Sequence, residues 1–179
     1  MKHLGEIEFE GVETIRKMQQ QKLSELLLYV STNSAYYKEV FRQHNIKIEN
    51  ITLDNLNELP FTTKDNLATH NDSFLCVEKS LVADYVTTSG TLSDPVTFYL
   101  TSADLERLAY NEALSLQCAD GSKNDIFQMM TTIDKLFMAG LAYFLGIRKL
   151  GAASIRVGPG TPQAQWDYIH RFKPSTLIA

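Results

Sequence analysis

The chain has 179 residues, 44% of them hydrophobic and 21% charged, with a formal net charge of −4. That length suits one globular domain, and the apolar fraction excludes both disorder and collagen-like repetition. The net acidity and the lack of a Lys/Arg block exclude a nucleic-acid groove.

Charge is spread unevenly. Residues 1–50 balance seven basic against seven acidic groups. Residues 51–100 set Lys64 and Lys79 against seven acids, and residues 101–179 carry eight basic and seven acidic groups. Cys76 and Cys118 are isolated thiols without metal-ligand spacing, which points to a reduced, cytoplasmic protein in which both are buried. The longest uncharged apolar run, 136–147, has 12 residues, against the roughly 20 that a membrane helix needs. The N-terminus lacks the apolar core of a signal peptide. No membrane partner is expected.

Residues 1–80 read as a helical, loop-rich lead-in. Val12, Ile15, Leu23, Leu26, Leu27 and Val30 recur at helical spacing and predict one apolar stripe over 12–30, with Gln19–Gln21 on the solvent side. A second helix is expected from Ser34, burying Tyr36, Tyr37, Val40 and Phe41. Thr52 and Thr63 each precede an acid by two residues, the pattern of a capped helix start.

From residue 81 the pattern becomes α/β. Short β-runs are predicted at 83–87 and 96–100. A capping box at Thr101/Asp104 then opens a helix through Leu105, Leu108, Ala109, Ala113 and Leu116. Three parallel strands are expected near 126–131, 153–157 and 175–179, with helices 138–150 and 162–172 as right-handed crossovers. Thr161 would cap the last helix, with Pro162 at its first position and Trp166, Ile169 and Phe172 facing inward. The chain stops inside an apolar β-like run. That ending suggests one incomplete domain, truncated at its C-terminus, with exposed apolar surface and possible self-association.

One segment draws attention as chemistry. Thr87-Thr-Ser-Gly-Thr-Leu-Ser-Asp-Pro95 joins two β-runs, and six of its nine residues are Thr, Ser or Gly. Such a loop can aim several N–H and hydroxyl groups at one point, as a polyphosphate requires. Composition fits a polar hairpin turn as well, and that turn is the commoner outcome. The segment is not a GxxxxGK[ST] loop, and Asp84 and Asp94 flank it without a nearby cation. A divalent ion or distant basic groups would have to neutralise a phosphate there. His3, His44, His70 and His170 are scattered, so no metal site is expected. Ser89 lacks the G-x-S-x-G setting of a hydrolase nucleophile.

Residues 88–95 resemble the phosphate loop of adenylate-forming enzymes, [ST]-[ST]-G-T-[TS]-G-x-P. Flanking pieces are similar to the phenylacetate–coenzyme A ligase branch of that superfamily. They are Ser34-Ala-Tyr-Tyr-Lys38, Leu59-Pro-Phe-Thr-Thr-Lys-Asp65, Tyr99-Leu-Thr-Ser-Ala-Asp104, Lys135-Leu-Phe-Met-Ala-Gly-Leu141 (like G-L-F-T-G-G-L) and Ile169-His-Arg-Phe-Lys-Pro174. They occur in the family's order. Leu92 and Ser93 depart from the loop pattern and Asp94 stands where many members have Lys, while Lys135, Met138 and Ala139 depart from the second motif.

The resemblance implies the N-terminal part of a larger adenylate-forming domain. It implies activation of a small carboxylic acid with ATP and Mg²⁺, then transfer to coenzyme A. Thr88, Ser89, Gly90, Thr91 and Ser93 would cradle the phosphates, while Phe137 and Met138 stand where the family lines its acyl pocket or serve as core. Catalytic residues would lie beyond Ala179, so the remainder of the chain is an expected partner and the fragment alone is expected to be inactive. A non-catalytic α/β binding or regulatory module of the same fold is the alternative.

Overall fold

The structure is a computed structural model and describes residues 7–88 and 95–179. These form two compact units, residues 7–82 with 95–97 and residues 83–88 with 98–179.

The first unit is helical. Helix α1 (Val12–Asn33) is followed after one residue by α2 (Ala35–Gln43), and α3 (Lys64–Thr69) comes after short 3₁₀ turns. Leu27, Phe41 and Ile51 form the core, with Leu23, Val30, Tyr37, Val40 and Leu59 packed around them. The predicted stripe on α1 is therefore narrower than its spacing suggested. Leu23, Leu27 and Val30 turn inward, whereas Val12 and Leu26 are exposed. Gln20 also departs from its expected solvent position. Its side chain accepts from the Leu53 N–H and donates to the Ile51 carbonyl, tying α1 to the following loop.

Ser34 both ends α1 and begins α2. Its hydroxyl is fully buried, accepts from the Tyr37 N–H at 3.3 Å and donates to the Ser73 carbonyl at 2.9 Å. Ser34→Ala should cost about 1–2 kcal/mol through the lost cap and an orphaned carbonyl, read as a lower denaturant midpoint at unchanged m-value. Thr63 caps α3 in a capping box with Asn66. Thr52 instead heads a turn, because Asn55 Oδ1 accepts both the Thr52 N–H and its hydroxyl proton.

In the second unit, β1 (Val82–Thr87) pairs with β2 (Thr97–Thr101), and Tyr85 meets Tyr99 edge to face. Thr101 and Asp104 form the expected capping box of α4 (Ser102–Cys118). Strand β3 (Ile126–Met129), α5 (Met138–Leu150), β4 (Ala153–Arg156), α6 (Pro162–Phe172) and β5 (Thr176–Ile178) follow in alternation. The three strands form one parallel sheet in the order β4-β3-β5. The α/β fold read from the sequence, with its helical start, is therefore the observed one.

Successive residues of β3 point to opposite faces. Phe127 and Met129 pack with Tyr143, Phe144 and Ile147 of α5, while Gln128 points away from them and bonds Gln165 of α6. The two helices thus cover opposite faces. Going from β3 to β4 and then back past β3 to β5 reverses direction across the sheet, and crossovers of one hand then demand this arrangement. Helix α4 lies against α5 at a tight seam, where a Cβ on Gly146 would sit 2.5 Å from Glu112 Cβ. At the N-terminal edge of the sheet, Asp125 accepts from the Ser122 and Ser175 hydroxyls, which hold its carboxyl below the usual range.

Two expectations fail on this unit. Trp166 and Phe172 are exposed; α6 turns Ala164, Gln165 and Ile169 inward, and its aromatic rings pair along the outer face, Trp166 with His170 and Tyr168 with Phe172. Cys118 is exposed at the last turn of α4, while Cys76 is half-buried and burial pushes its thiol pKa up. No helix among the described residues is long and apolar enough to cross a membrane.

Candidate functional site

The loops that leave β3 and β4 at their carboxyl ends diverge to helices on opposite faces. In open α/β sheets such a divergence between neighbouring strands opens a crevice where ligands bind. Here it forms an open cleft of about 670 Å³. One wall is Thr131, Thr132, Ile133, Asp134 and Lys135; the other is Arg156, Val157, Gly158 and Pro159.

Each wall is held by the strand ends. The Met129 carbonyl accepts from both Val157 and Gly158 N–H, at 3.1 and 3.0 Å. A relay of amides fixes the second wall from below: Gln128 Nε2 donates to Gln165 Oε1 at 2.9 Å, and Gln165 Nε2 donates to the Gly158 carbonyl at 2.8 Å. Gly158 has φ of +67° with open space around its Cα, so glycine is needed there for conformation rather than room. The first wall is pressed against the start of α5, where buried Gly140 lets the helix touch the Thr132 carbonyl.

The cleft is polar. The Thr132 hydroxyl donates to Asp134 Oδ1 and holds that carboxyl below its usual range, with Lys135 acting in the same direction. The Arg156 guanidinium stands 4.8 Å from the Phe144 ring centroid, a cation–π contact that positions it. Thr131 Oγ1 is buried and finds no hydrogen-bond partner in the structure. Lys135 and Leu136 are both left-handed, with φ of 59° and 60°. Two consecutive side-chain-bearing residues in that region cost about 1–2 kcal/mol each, and such strain gathers at functional sites. Among the described residues, no group of three or more His, Cys, Asp and Glu side chains could hold a metal ion.

One hydrogen bond joins the end of β1 to the residue that follows the first wall. The Thr87 N–H at the end of β1 donates to the Leu136 carbonyl at 3.0 Å. Thr88, half-buried, is the next residue; Ser89, Gly90, Thr91 and Ser93 lie outside the described residues. Phe137 stands at the N-cap of α5 and Met138 is its first residue; each is 41% exposed, next to the strained pair and outside the walls of the cleft. The sequence reading missed Thr131, Arg156 and Gly158. Their signal was position, immediately after predicted parallel strands, which is where a crevice of this kind must open.

The fold matches part of a solved coenzyme A ligase. It superposes with a TM-score of 0.85 on 2-hydroxyisobutyryl-CoA ligase in complex with 2-HIB-AMP and CoA, over 93% of this chain and 37% of that one, at 18% identity. An open conformation of the same ligase gives the same score at 17% identity. In sequence the chain is similar to phenylacetate-coenzyme A ligase of Thermus thermophilus, 27% identical over 99% of this chain and 40% of the relative. It is also similar to Protein CapK of Staphylococcus aureus, 30% identical over 52% of this chain and 21% of that protein. The resemblance to the phenylacetate–coenzyme A ligase-like branch thus extends along the whole chain, which spans less than half the length of each of these relatives. No family model matches the chain.

Proposed function

We propose that this chain is part of an ATP-dependent acid–thiol ligase. A carboxylate oxygen attacks the α-phosphorus of ATP and pyrophosphate leaves; the thiol of coenzyme A then attacks the acyl carbon and AMP leaves. The observation that supports this reading is the Thr87–Leu136 hydrogen bond, which joins the residue before Thr88 to the residue that follows the 131–135 wall. The buried, unpartnered Thr131 hydroxyl in that crevice suits an oxyanion. Thr88, Ser89, Gly90, Thr91 and Ser93 would hold the phosphates, mostly through backbone N–H groups. Phe137 and Met138 would border the acyl group. Mg²⁺ would offset the phosphate charge when bound. The catalytic residues and the remaining contacts to nucleotide and coenzyme A would come from the rest of a longer chain, so nucleotide binding rather than turnover is the property to measure.

Calorimetric titration with ATP and Mg²⁺ tests it. Gly90→Val should weaken binding at least about ten-fold, because a β-branched side chain strongly restricts the backbone and bars close approach of a phosphate. Equal binding by wild type and Gly90→Val would remove the segment from nucleotide recognition. Leu92, Ser93 and Asp94 favour a second reading, a non-catalytic relative, since they remove a hydroxyl and a glycine and add a repelling carboxylate. In that case wild type does not bind ATP.

A further inference from the structure

We propose that Lys135, together with Arg156 on the facing wall, supplies the positive charge that holds the nucleotide's phosphate chain at this cleft. The inference rests on the adenylation reading and assigns to it a charged anchor that the Thr/Ser/Gly segment lacks. No Lys or Arg occurs anywhere between Lys79 and Arg107, whereas Asp84 and Asp94 flank the segment. A phosphate chain held by that segment alone would have no cationic side chain nearby in sequence to offset its charge. The cleft reverses this balance, because Lys135 and Arg156 line it against the single carboxylate of Asp134.

Three further observations converge on Lys135. It precedes Leu136, whose carbonyl receives the Thr87 N–H, so its backbone is anchored to the strand that leads into the segment. It keeps a left-handed backbone at φ of 59°, a conformation that glycine would adopt without strain. The position begins the stretch that resembles G-L-F-T-G-G-L, so a lysine replaces the residue its conformation favours. On the same wall, the buried Thr131 hydroxyl has an unused proton to donate to an oxyanion. Arg156 is set by the Phe144 ring, and its side chain stays exposed at the cleft.

The experiment titrates the chain with tripolyphosphate and with ATP at low ionic strength, comparing wild type with Lys135→Gly, Lys135→Met, Arg156→Gln and Gly90→Val. Lys135→Gly is the diagnostic variant. Relief of the left-handed strain should raise the melting temperature, while loss of the charge should weaken tripolyphosphate binding roughly five- to ten-fold and flatten its salt dependence. Lys135→Met and Arg156→Gln should weaken it similarly. Affinity unchanged in all three cleft variants overturns the inference, and if Gly90→Val still weakens ATP binding the adenylation reading stands without it. A wild type that binds neither ligand overturns both. Lys135-dependent binding of tripolyphosphate by a wild type that does not bind ATP keeps the anion anchor and overturns the adenylation reading.

Discussion

Gly140→Ala is expected to lower the melting temperature by about 6–12 °C, which corresponds to a loss of about 3 kcal/mol in a domain of this size. Gly140 is buried in the first turn of α5. A Cβ built there would sit 1.7 Å from the Thr132 carbonyl oxygen, 2.7 Å from its carbon and 3.2 Å from Ile133 Cα. All three are backbone atoms, so no rotamer change can relieve the collision. Either the start of α5 or the 131–135 wall must move, so the cleft should deform as stability is lost. Gly158→Ala is the contrasting control. It meets nothing within 4 Å but keeps φ of +67°, so it should cost only about 1–2 kcal/mol. Circular-dichroism melts of the two variants separate collision from backbone strain. A Gly140→Ala protein as stable as wild type would mean that α5 does not approach Thr132 this closely.

What the sequence could and could not reveal follows from the range of the forces involved. Helix α5 falls at 138–150 as its apolar run implies, and Thr63, Thr101 and Thr161 cap helices as their local patterns imply. Periodicity, capping and turn chemistry act within a few residues, so they are legible. The buried face of α6 was misread because Trp166 and Phe172 are hydrophobic enough to suggest burial, while Gln165 takes the inward place. Gln165 turns inward because Gln128, 37 positions away, offers it a buried partner. The same limit hid Gln20, whose partners lie more than 30 residues on. The site divides likewise. The Thr/Ser/Gly segment announces itself by composition, whereas the cleft needs the β4-β3-β5 order before Thr131 and Arg156 can be brought together.

Gln165→Leu should cost about 2–3 kcal/mol, the second largest effect expected. Gln128 is fully buried between the sheet and α6, and its Oε1 already lacks a partner. Its amide nitrogen depends on Gln165, at 2.9 Å from Oε1 and 3.3 Å from the main-chain carbonyl. Leucine removes the better acceptor and leaves a buried amide with one long bond. It also frees the Gly158 carbonyl, which now receives the Gln165 amide at 2.8 Å, so the second wall of the cleft should loosen. Gln128→Met acts from the other end. It keeps the volume and removes the buried amide, while half-buried Gln165 can turn to water and keep its bond to Gly158. That variant should lose less than about 1 kcal/mol. Combining Gln128→Met with Gln165→Leu should recover much of the loss, because no buried amide is then left unpaired. Urea unfolding of the two single variants and the double variant measures this coupling. A double variant whose loss equals the sum of the two single losses would show that the amides do not act as a pair.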